Sequence, residues 1–307
     1  AAMMEIPAVF INVMRAGPST GVPTKTEQGD LWQALGASQG DFERFIVAPI
    51  DALDAYNCVG ELFNLVDRAQ CPGIIISDLL ISEGTFNVDP DLVDFQPEID
   101  RGELLVDPST NGNYLRYAET ESGISPRVTP GHEGFVHVVA TDEHDEDGVI
   151  ISDEFTHPHK RRRSVEKRAR KFRGVAADVP APTLEGPQEA EVTLVGWGST
   201  YGVIREAIEM LAEQGVVANQ LAIKWIIPFH GDVVEEILSS AKRTLLVENN
   251  HSGQFARYLR SETGFSPNGH IRKYDGEPFM PHHVVEGVLE LLKSEADIHV
   301  PYQEIIV

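Results

Sequence analysis

Apolar residues along this chain come in short unbroken runs, Ala8 to Val13, Arg44 to Ala48 and Gly73 to Ser77, and the stretches between them carry apolar residues at helical spacing. Unbroken short runs are the pattern of parallel strands buried on both faces. The spacing between them predicts a helix near Gln28 to Leu35 and another from Ala52 to Arg68, the second opened by Pro49 and N-capped by Asp51. Residues 1–85 therefore read as β-loop-α-β-α-β, half of a doubly wound domain. The alternation resumes after residue 190: strand Val192 to Val195, the turn GWGSTYG, helix Val203 to Gln214, strand Gln220 to Ile226, helix Asp232 to Ser239, strand Arg243 to Val247, helix Ser252 to Glu262, and a last helix near Pro281 to Ser294. Between the two, scattered Pro and Gly, many acids and weak periodicity predict an extended arm with local strands and one basic helix, ending in the Pro-rich linker DVPAPTLEGPQEAE. The expected fold class is α/β: two doubly wound, mainly parallel-sheet domains, 1–85 and 191–307, joined by an arm and linker over 86–190.

The first run is entered after only a few residues, with no earlier element to lie beside it. A parallel sheet needs both faces covered. The expectation is a chain that begins inside a domain, the rest of the sheet coming from a preceding segment or from another polypeptide.

Composition narrows the function classes. A hydrophobic content of 42% is that of a soluble globular protein. No apolar run approaches the roughly 20 residues that cross a bilayer, and no basic, apolar leader opens the chain, so a cytoplasmic protein without membrane partners is expected. The net charge of −23 repels phosphate backbones, so nucleic acid is not an expected partner. Nine of the 25 Lys and Arg residues nevertheless fall between Lys160 and Arg173, which predicts a solvated helix or a docking surface for an acidic partner. Cys58 and Cys71 are the only cysteines, too few for a cysteine-ligated zinc or iron–sulfur site within this chain.

Candidate chemistry concentrates after the first strand. In RAGPSTGVPTKTEQGD a lone Arg closes the strand and a Gly/Pro/Ser/Thr loop follows, at the sheet edge where open α/β folds bind ligands. Arg15 can grip a carboxylate through two parallel hydrogen bonds, and Ser19, Thr20, Thr24 and Thr26 can donate to further oxygens. A long turn whose hydroxyls satisfy their own backbone is an equal reading. GWGSTYG could hold an anion at a helix N-terminus and thereby seed a nicotinamide enzyme, but its spacing is not that of a dinucleotide fingerprint, and a structural turn is favoured. The acidic stretch GHEGFVHVVATDEHDEDG reads as a solvated turn or a subunit contact rather than a metal site, because neighbouring carboxylates point to different sides. ENNHSGQF opens a helix and is either a ligand edge or ordinary capping by Asn250 or Ser252.

RAGPSTGVPTKTEQGDLWQAL closely resembles the Arg-Gly-Gly-Pro-Ser-Thr-Gly-x-Pro-Thr-x-x-Glu-Gln-x-Asp-Leu block in the α subunit of 2-oxoacid:ferredoxin oxidoreductases, the 2-oxoglutarate type in particular. IIISDLLISEG, the GHEG and TDEHDEDG pair, VTLVGWGSTYG and the ENN segment match in order over nearly the whole chain. The resemblance implies that residues 1–85 are the second half of a thiamine-diphosphate pyrimidine-type domain and 191–307 a transketolase C-terminal-like domain. The family's Tyr-Pro-Ile-Thr-Pro segment and the acid that polarises the aminopyrimidine would belong to an earlier portion of the first domain. It also implies oxidative decarboxylation of 2-oxoglutarate to succinyl-CoA with reduction of ferredoxin. The alternatives are a pyruvate or branched-chain substrate, or a non-catalytic module completing a partner's sheet. A partner β subunit would bring thiamine diphosphate, Mg²⁺ and a [4Fe–4S] cluster in an (αβ)₂ heterotetramer, with coenzyme A as co-substrate. By the same resemblance, Arg15 binds the substrate carboxylate and Thr24 contacts the substrate. Ala16 stands where the family usually has Gly, which removes backbone freedom beside Arg15 and bears on substrate preference.

Overall fold

A computed structural model of the chain describes residues 1–105, 114–151 and 157–302, so parts of the expected arm and the end of the expected second domain lie outside the described residues. The N-terminal stretch forms β1 (Ala8–Met14), α1 (Leu31–Leu35), β2 (Phe45–Val47), α2 (Ala52–Ala69), β3 (Pro72–Asp78) and the short α3 (Leu79–Glu83). The arm carries β4 (Leu104–Leu105), β5 (Arg127–Val128), the basic helix α4 (Pro158–Ala176) and β6 (Leu184–Glu185). The remainder forms β7 (Val192–Trp197), α5 (Thr200–Glu213), β8 (Ala218–Ile223), β9 (Trp225–Ile227), α6 (Gly231–Ser240), β10 (Thr244–Glu248), α7 (Gln254–Thr263), β11 (Gly269–Arg272), α8 (Pro281–Lys293) and β12 (Ile298–His299).

Two parallel-dominated sheets result, one of order β1-β3-β2-β9 and one of order β12-β11-β10-β7-β8-β6; β4 and β5 make a separate short pair. Only β9 and β6 run antiparallel to their neighbours in the two larger sheets. The layers follow from which face each helix buries. Between the sheets, α1, α6 and α7 share one core with Met14, Ile46, Ile76, Val195, Trp197 and Leu246. Outside the first sheet, α2 and α4 pack Leu62, Val66, Phe172 and Val175 on Phe45 and Val47. Outside the second, α5 and α8 cover Leu194, Leu245 and Ile271. Helix α2 starts where the sequence predicts it, because the Asp51 carboxylate accepts the Asp54 N–H at 2.7 Å. It ends at Gln70, which turns left-handed at φ 48°.

Several expectations need correction. Every residue of β3 is buried, but β1, which pairs only with β3 among the described residues, leaves Phe10 and Ile11 56% and 62% exposed. The strand expected from Gln220 to Ile226 is two. At Lys224 the chain leaves the second sheet and enters the first, held there by ion pairs from Lys224 to Asp54 at 2.6 Å and Glu61 at 2.9 Å and by the Ala48 N–H bonded to the Lys224 carbonyl. Strands β11 and β12 were not legible, since short runs such as GHIR alternate in burial and carry no unbroken apolar signature.

Part of the basic helix finds acidic partners within the chain, while Arg162, Arg163 and Arg173 stay exposed to solvent. Glu143 takes a two-pronged grip from Arg168 at 2.9 Å and a further bond from Arg161, while Lys160 pairs with Asp145 and Arg170 with Glu119. Burial would raise the Glu143 pKa, but the two guanidiniums hold it below the usual carboxylate range. Deeper still, Lys167 and Lys171 close on Glu5, all three nearly inaccessible; burial opposes ionisation of Glu5, yet the two ammonium groups bring its pKa down to about 2. No helix among the described residues is long and apolar enough to cross a membrane.

Candidate functional site

The loop from Arg15 to Asp30 is closed at its neck and open at its tip. The neck forms because the Ala16 N–H reaches the Lys25 carbonyl at 3.4 Å and the Val22 N–H returns to the Ala16 carbonyl at 2.9 Å. That return brings backbone so near that a Cβ on Gly21 (φ +51°) would lie 1.8 Å from the Ala16 carbonyl oxygen, which leaves glycine as the residue that fits. Ser19 and Thr24 also hold positive φ, 56° and 58°, unusual for a Ser and a genuine outlier for a β-branched Thr. Backbone of this kind persists only where surrounding structure over-determines it, and it clusters at ligand clamps.

The loop's carboxyl limb is rooted in the second sheet. The Thr26 N–H donates to the Gly276 carbonyl at 2.9 Å, and Lys25 pairs with Glu277. The Gln28 amide donates to the Trp197 carbonyl at 2.7 Å and accepts from the Asn249 N–H at 3.0 Å; its backbone N–H meets the Asn249 carbonyl at 2.6 Å. Gln254 donates to the Gly29 carbonyl at 2.6 Å. The Trp32 N–H, which a helix opened at Gln28 would give to the Gln28 carbonyl, goes instead to the Gln254 side chain at 3.3 Å, and α1 starts later than the spacing predicted, at Leu31. Asp78, at the carboxyl end of β3, accepts the Ser199 hydroxyl and the Leu80 N–H at 3.0 Å; burial raises its pKa while these donors pull the other way.

Arg15, Ser19, Thr20 and Thr24 all lie exposed on this single loop beyond β1. Thr24 turns its hydroxyl to the Pro23 carbonyl at 2.7 Å. The Arg15 guanidinium and the Ser19 and Thr20 hydroxyls enter no hydrogen bond with the described residues. Three guanidinium or hydroxyl groups thus remain uncommitted among the described residues on a loop whose base is fixed, groups of a kind that donate to an oxyanion. Sequence reasoning picked out the tip and missed Gln28, Asp78 and Gly276 at the root; the only signal for Gln28 was its place inside the quoted loop.

The other candidate turns are satisfied from within. In GWGSTYG, the Thr200 hydroxyl accepts the Trp197 N–H at 3.0 Å and donates back to the Trp197 carbonyl at 2.9 Å, while Ser199 bonds to Asp78. This is the structural turn, with no hydroxyl left for a nucleotide phosphate. In ENNHSGQF the Asn250 side-chain oxygen accepts the Gly253 N–H at 2.8 Å, and the fully buried Glu248 accepts the Phe255 and Ala256 N–H groups at 2.9 and 3.3 Å. The helix N-terminus there is capped by the chain's own side chains.

Comparison with known proteins agrees with the sequence and the fold. Residues 1–164 match the family described as pyruvate flavodoxin/ferredoxin oxidoreductase, thiamine-diphosphate-binding, and 190–284 match pyruvate:ferredoxin oxidoreductase core domain II. The α subunit of 2-oxoacid:ferredoxin oxidoreductase 2 from Aeropyrum pernix is 36% identical over 294 residues, covering 94% of this chain and 44% of that protein. The 2-oxoglutarate synthase subunit KorA of Methanothermobacter thermautotrophicus is 26% identical, covering 95% and 75%. A solved 2-oxoglutarate:ferredoxin oxidoreductase from Magnetococcus marinus, with 2-oxoglutarate, coenzyme A and succinyl-CoA bound, superposes with a TM-score of 0.81 at 29% identity, covering 95% of this chain and 50% of that one. The chain spans about half the length of the first curated relatives it matches. It belongs to the pyruvate flavodoxin/ferredoxin oxidoreductase family, and the curated relatives it resembles are named as α subunits of 2-oxoacid:ferredoxin oxidoreductases.

Proposed function

We propose that this chain serves as α-subunit sequence of an enzyme that oxidatively decarboxylates 2-oxoglutarate to succinyl-CoA and passes the electrons to ferredoxin. The observation that carries the reading is the rooted loop with an uncommitted Arg15 at its entry and uncommitted Ser19 and Thr20 beyond. Arg15 offers two parallel N–H donors to a substrate carboxylate, Ser19 and Thr20 offer hydroxyl donors to its remaining oxygens, and Thr24 contacts the substrate from the same loop. The fixed root holds those donors in place before substrate arrives, so little ordering entropy is lost on binding. Relatives named for 2-oxoglutarate support that substrate over pyruvate or a branched-chain 2-oxoacid.

Thiamine diphosphate would supply the carbanion chemistry when bound. Among the described residues no three His, Cys, Asp or Glu side chains converge as ligands, and both cysteines are buried singly. In our reading a partner β subunit brings the diphosphate, its Mg²⁺ and a [4Fe–4S] cluster, and two such pairs assemble. The open edge of β1, with Phe10 and Ile11 exposed, is a surface that such an assembly would cover.

Co-purification of the chain with its partner from the source, followed by viologen reduction with a panel of 2-oxoacids and coenzyme A, tests partner, cofactor and substrate together. Reduction dependent on coenzyme A and strongest with 2-oxoglutarate is expected. Undiminished activity of the partner without this chain would leave a non-catalytic module as the better description.

A further inference from the structure

Gln28 is 1% exposed and each of its backbone and side-chain polar groups has a partner. Besides the three bonds already described, its carbonyl accepts the Asn250 side-chain amide at 3.2 Å. One residue thereby joins the loop after β1 to the turn after β7, through Trp197, and to the turn after β10, through Asn249 and Asn250. A short path of bonds leads on to the neck beside Arg15: the carbonyl of Lys25, just upstream of Gln28, accepts from the N–H of Ala16, the neighbour of Arg15.

We infer that Gln28 is a positioning residue, one that sets where Arg15 and Thr24 stand by locking the loop to both turns of the second sheet. The inference rests on the proposed substrate role of Arg15. A side chain that only added stability would need no particular segment beyond it. One that positions Arg15 transmits its loss to substrate binding, and only while Arg15 is present.

The test uses the assembled enzyme and Gln28→Met, which keeps length and bulk but removes both side-chain hydrogen bonds, together with Arg15→Ala and the double variant. Gln28→Met is expected to raise KM for 2-oxoglutarate about tenfold with kcat little changed, the mark of lost ground-state binding. In the Arg15→Ala background the same change should add less than about twofold, because residues acting through one another are not additive. Independently of turnover, trypsin should cut the native protein about tenfold faster after Arg15 and Lys25, with other sites unaffected, since the loop opens locally. Asn250→Ser, which keeps a capping oxygen and removes the donor to the Gln28 carbonyl, should act in the same direction to a lesser degree and covers the case that Gln28→Met fails to assemble. If Arg15→Ala itself leaves KM unchanged, the substrate reading falls and takes this inference with it. If Arg15→Ala raises KM but Gln28→Met, or Asn250→Ser in its place, gives the same loss with and without Arg15, or leaves loop cleavage as it was, the positioning role alone is refuted.

Discussion

The connection after β10 and the connection after β1 are built from the same kinds of residues, small, hydroxylated or amide-bearing, and each leaves the carboxyl end of a parallel strand. After β10, Glu248 and both asparagines are buried, and the opening N–H groups of α7 are taken up by Glu248 and Asn250. After β1, Arg15, Ser19 and Thr20 stand in solvent with no partner among the described residues. The physical difference is cost. A buried polar group without a partner loses roughly 1–3 kcal/mol, so the β10 turn must close on itself, whereas an exposed donor loses nothing by waiting for a ligand. One connection closes on itself, and the other keeps Arg15, Ser19 and Thr20 exposed.

Substitutions should separate the two. Arg15→Ala should lower kcat/KM of the assembled enzyme by about 2–5 kcal/mol in transition-state terms, roughly 30- to 5,000-fold, by leaving a substrate carboxylate unpaired. Its unfolding midpoint should stay at the wild-type value, because the side chain bonds to nothing described. Glu248→Ala should do the reverse, costing about 2–3 kcal/mol of stability by exposing helix N–H groups to an apolar void, as read by denaturant unfolding. Burial raises the Glu248 pKa above its ordinary 4.5, so its folded form keeps a proton that the unfolded chain gives up. The contribution of Glu248 is therefore full below pH 4.5 and declines as pH rises through the raised pKa; the stability gap to Glu248→Ala should narrow in that direction. Gly21→Ala should cost about 1–3 kcal/mol, since the added methyl must push the Ala16 carbonyl away, and activity should fall because the tip moves with it. Ser19→Ala and Thr20→Ala come last, at about 1 kcal/mol each in kcat/KM, with no change in unfolding.

Much of this architecture was legible because buried parallel strands leave unbroken apolar runs: β2, β3, β7 and β10 all sit where Phe45, Ile75, Leu194 and Leu246 announce them. Two of the misreadings share one cause, a partner distant in sequence. Lys224 interrupts a run that looks continuous because Asp54 and Glu61 wait across the fold. Glu143 and Asp145 look like a solvated turn until Arg168 and Lys160 are brought beside them. At the candidate site the exposed tip was readable from residue types, since exposure needs no partner. The root was not, because nothing in Gln28, Trp197 or Asn249 taken alone says that they meet.

Equilibrium binding of 2-oxoglutarate to the assembled enzyme, compared for wild type, Arg15→Lys and Arg15→Ala alongside thermal unfolding of each, puts the substrate role of Arg15 to trial. The expected result is a Kd weakened by at least about 30-fold in Arg15→Ala, an intermediate value in Arg15→Lys, which keeps the charge but not the two-pronged grip, and unchanged Tm throughout. An Arg15→Ala enzyme that binds 2-oxoglutarate as tightly as wild type would contradict it.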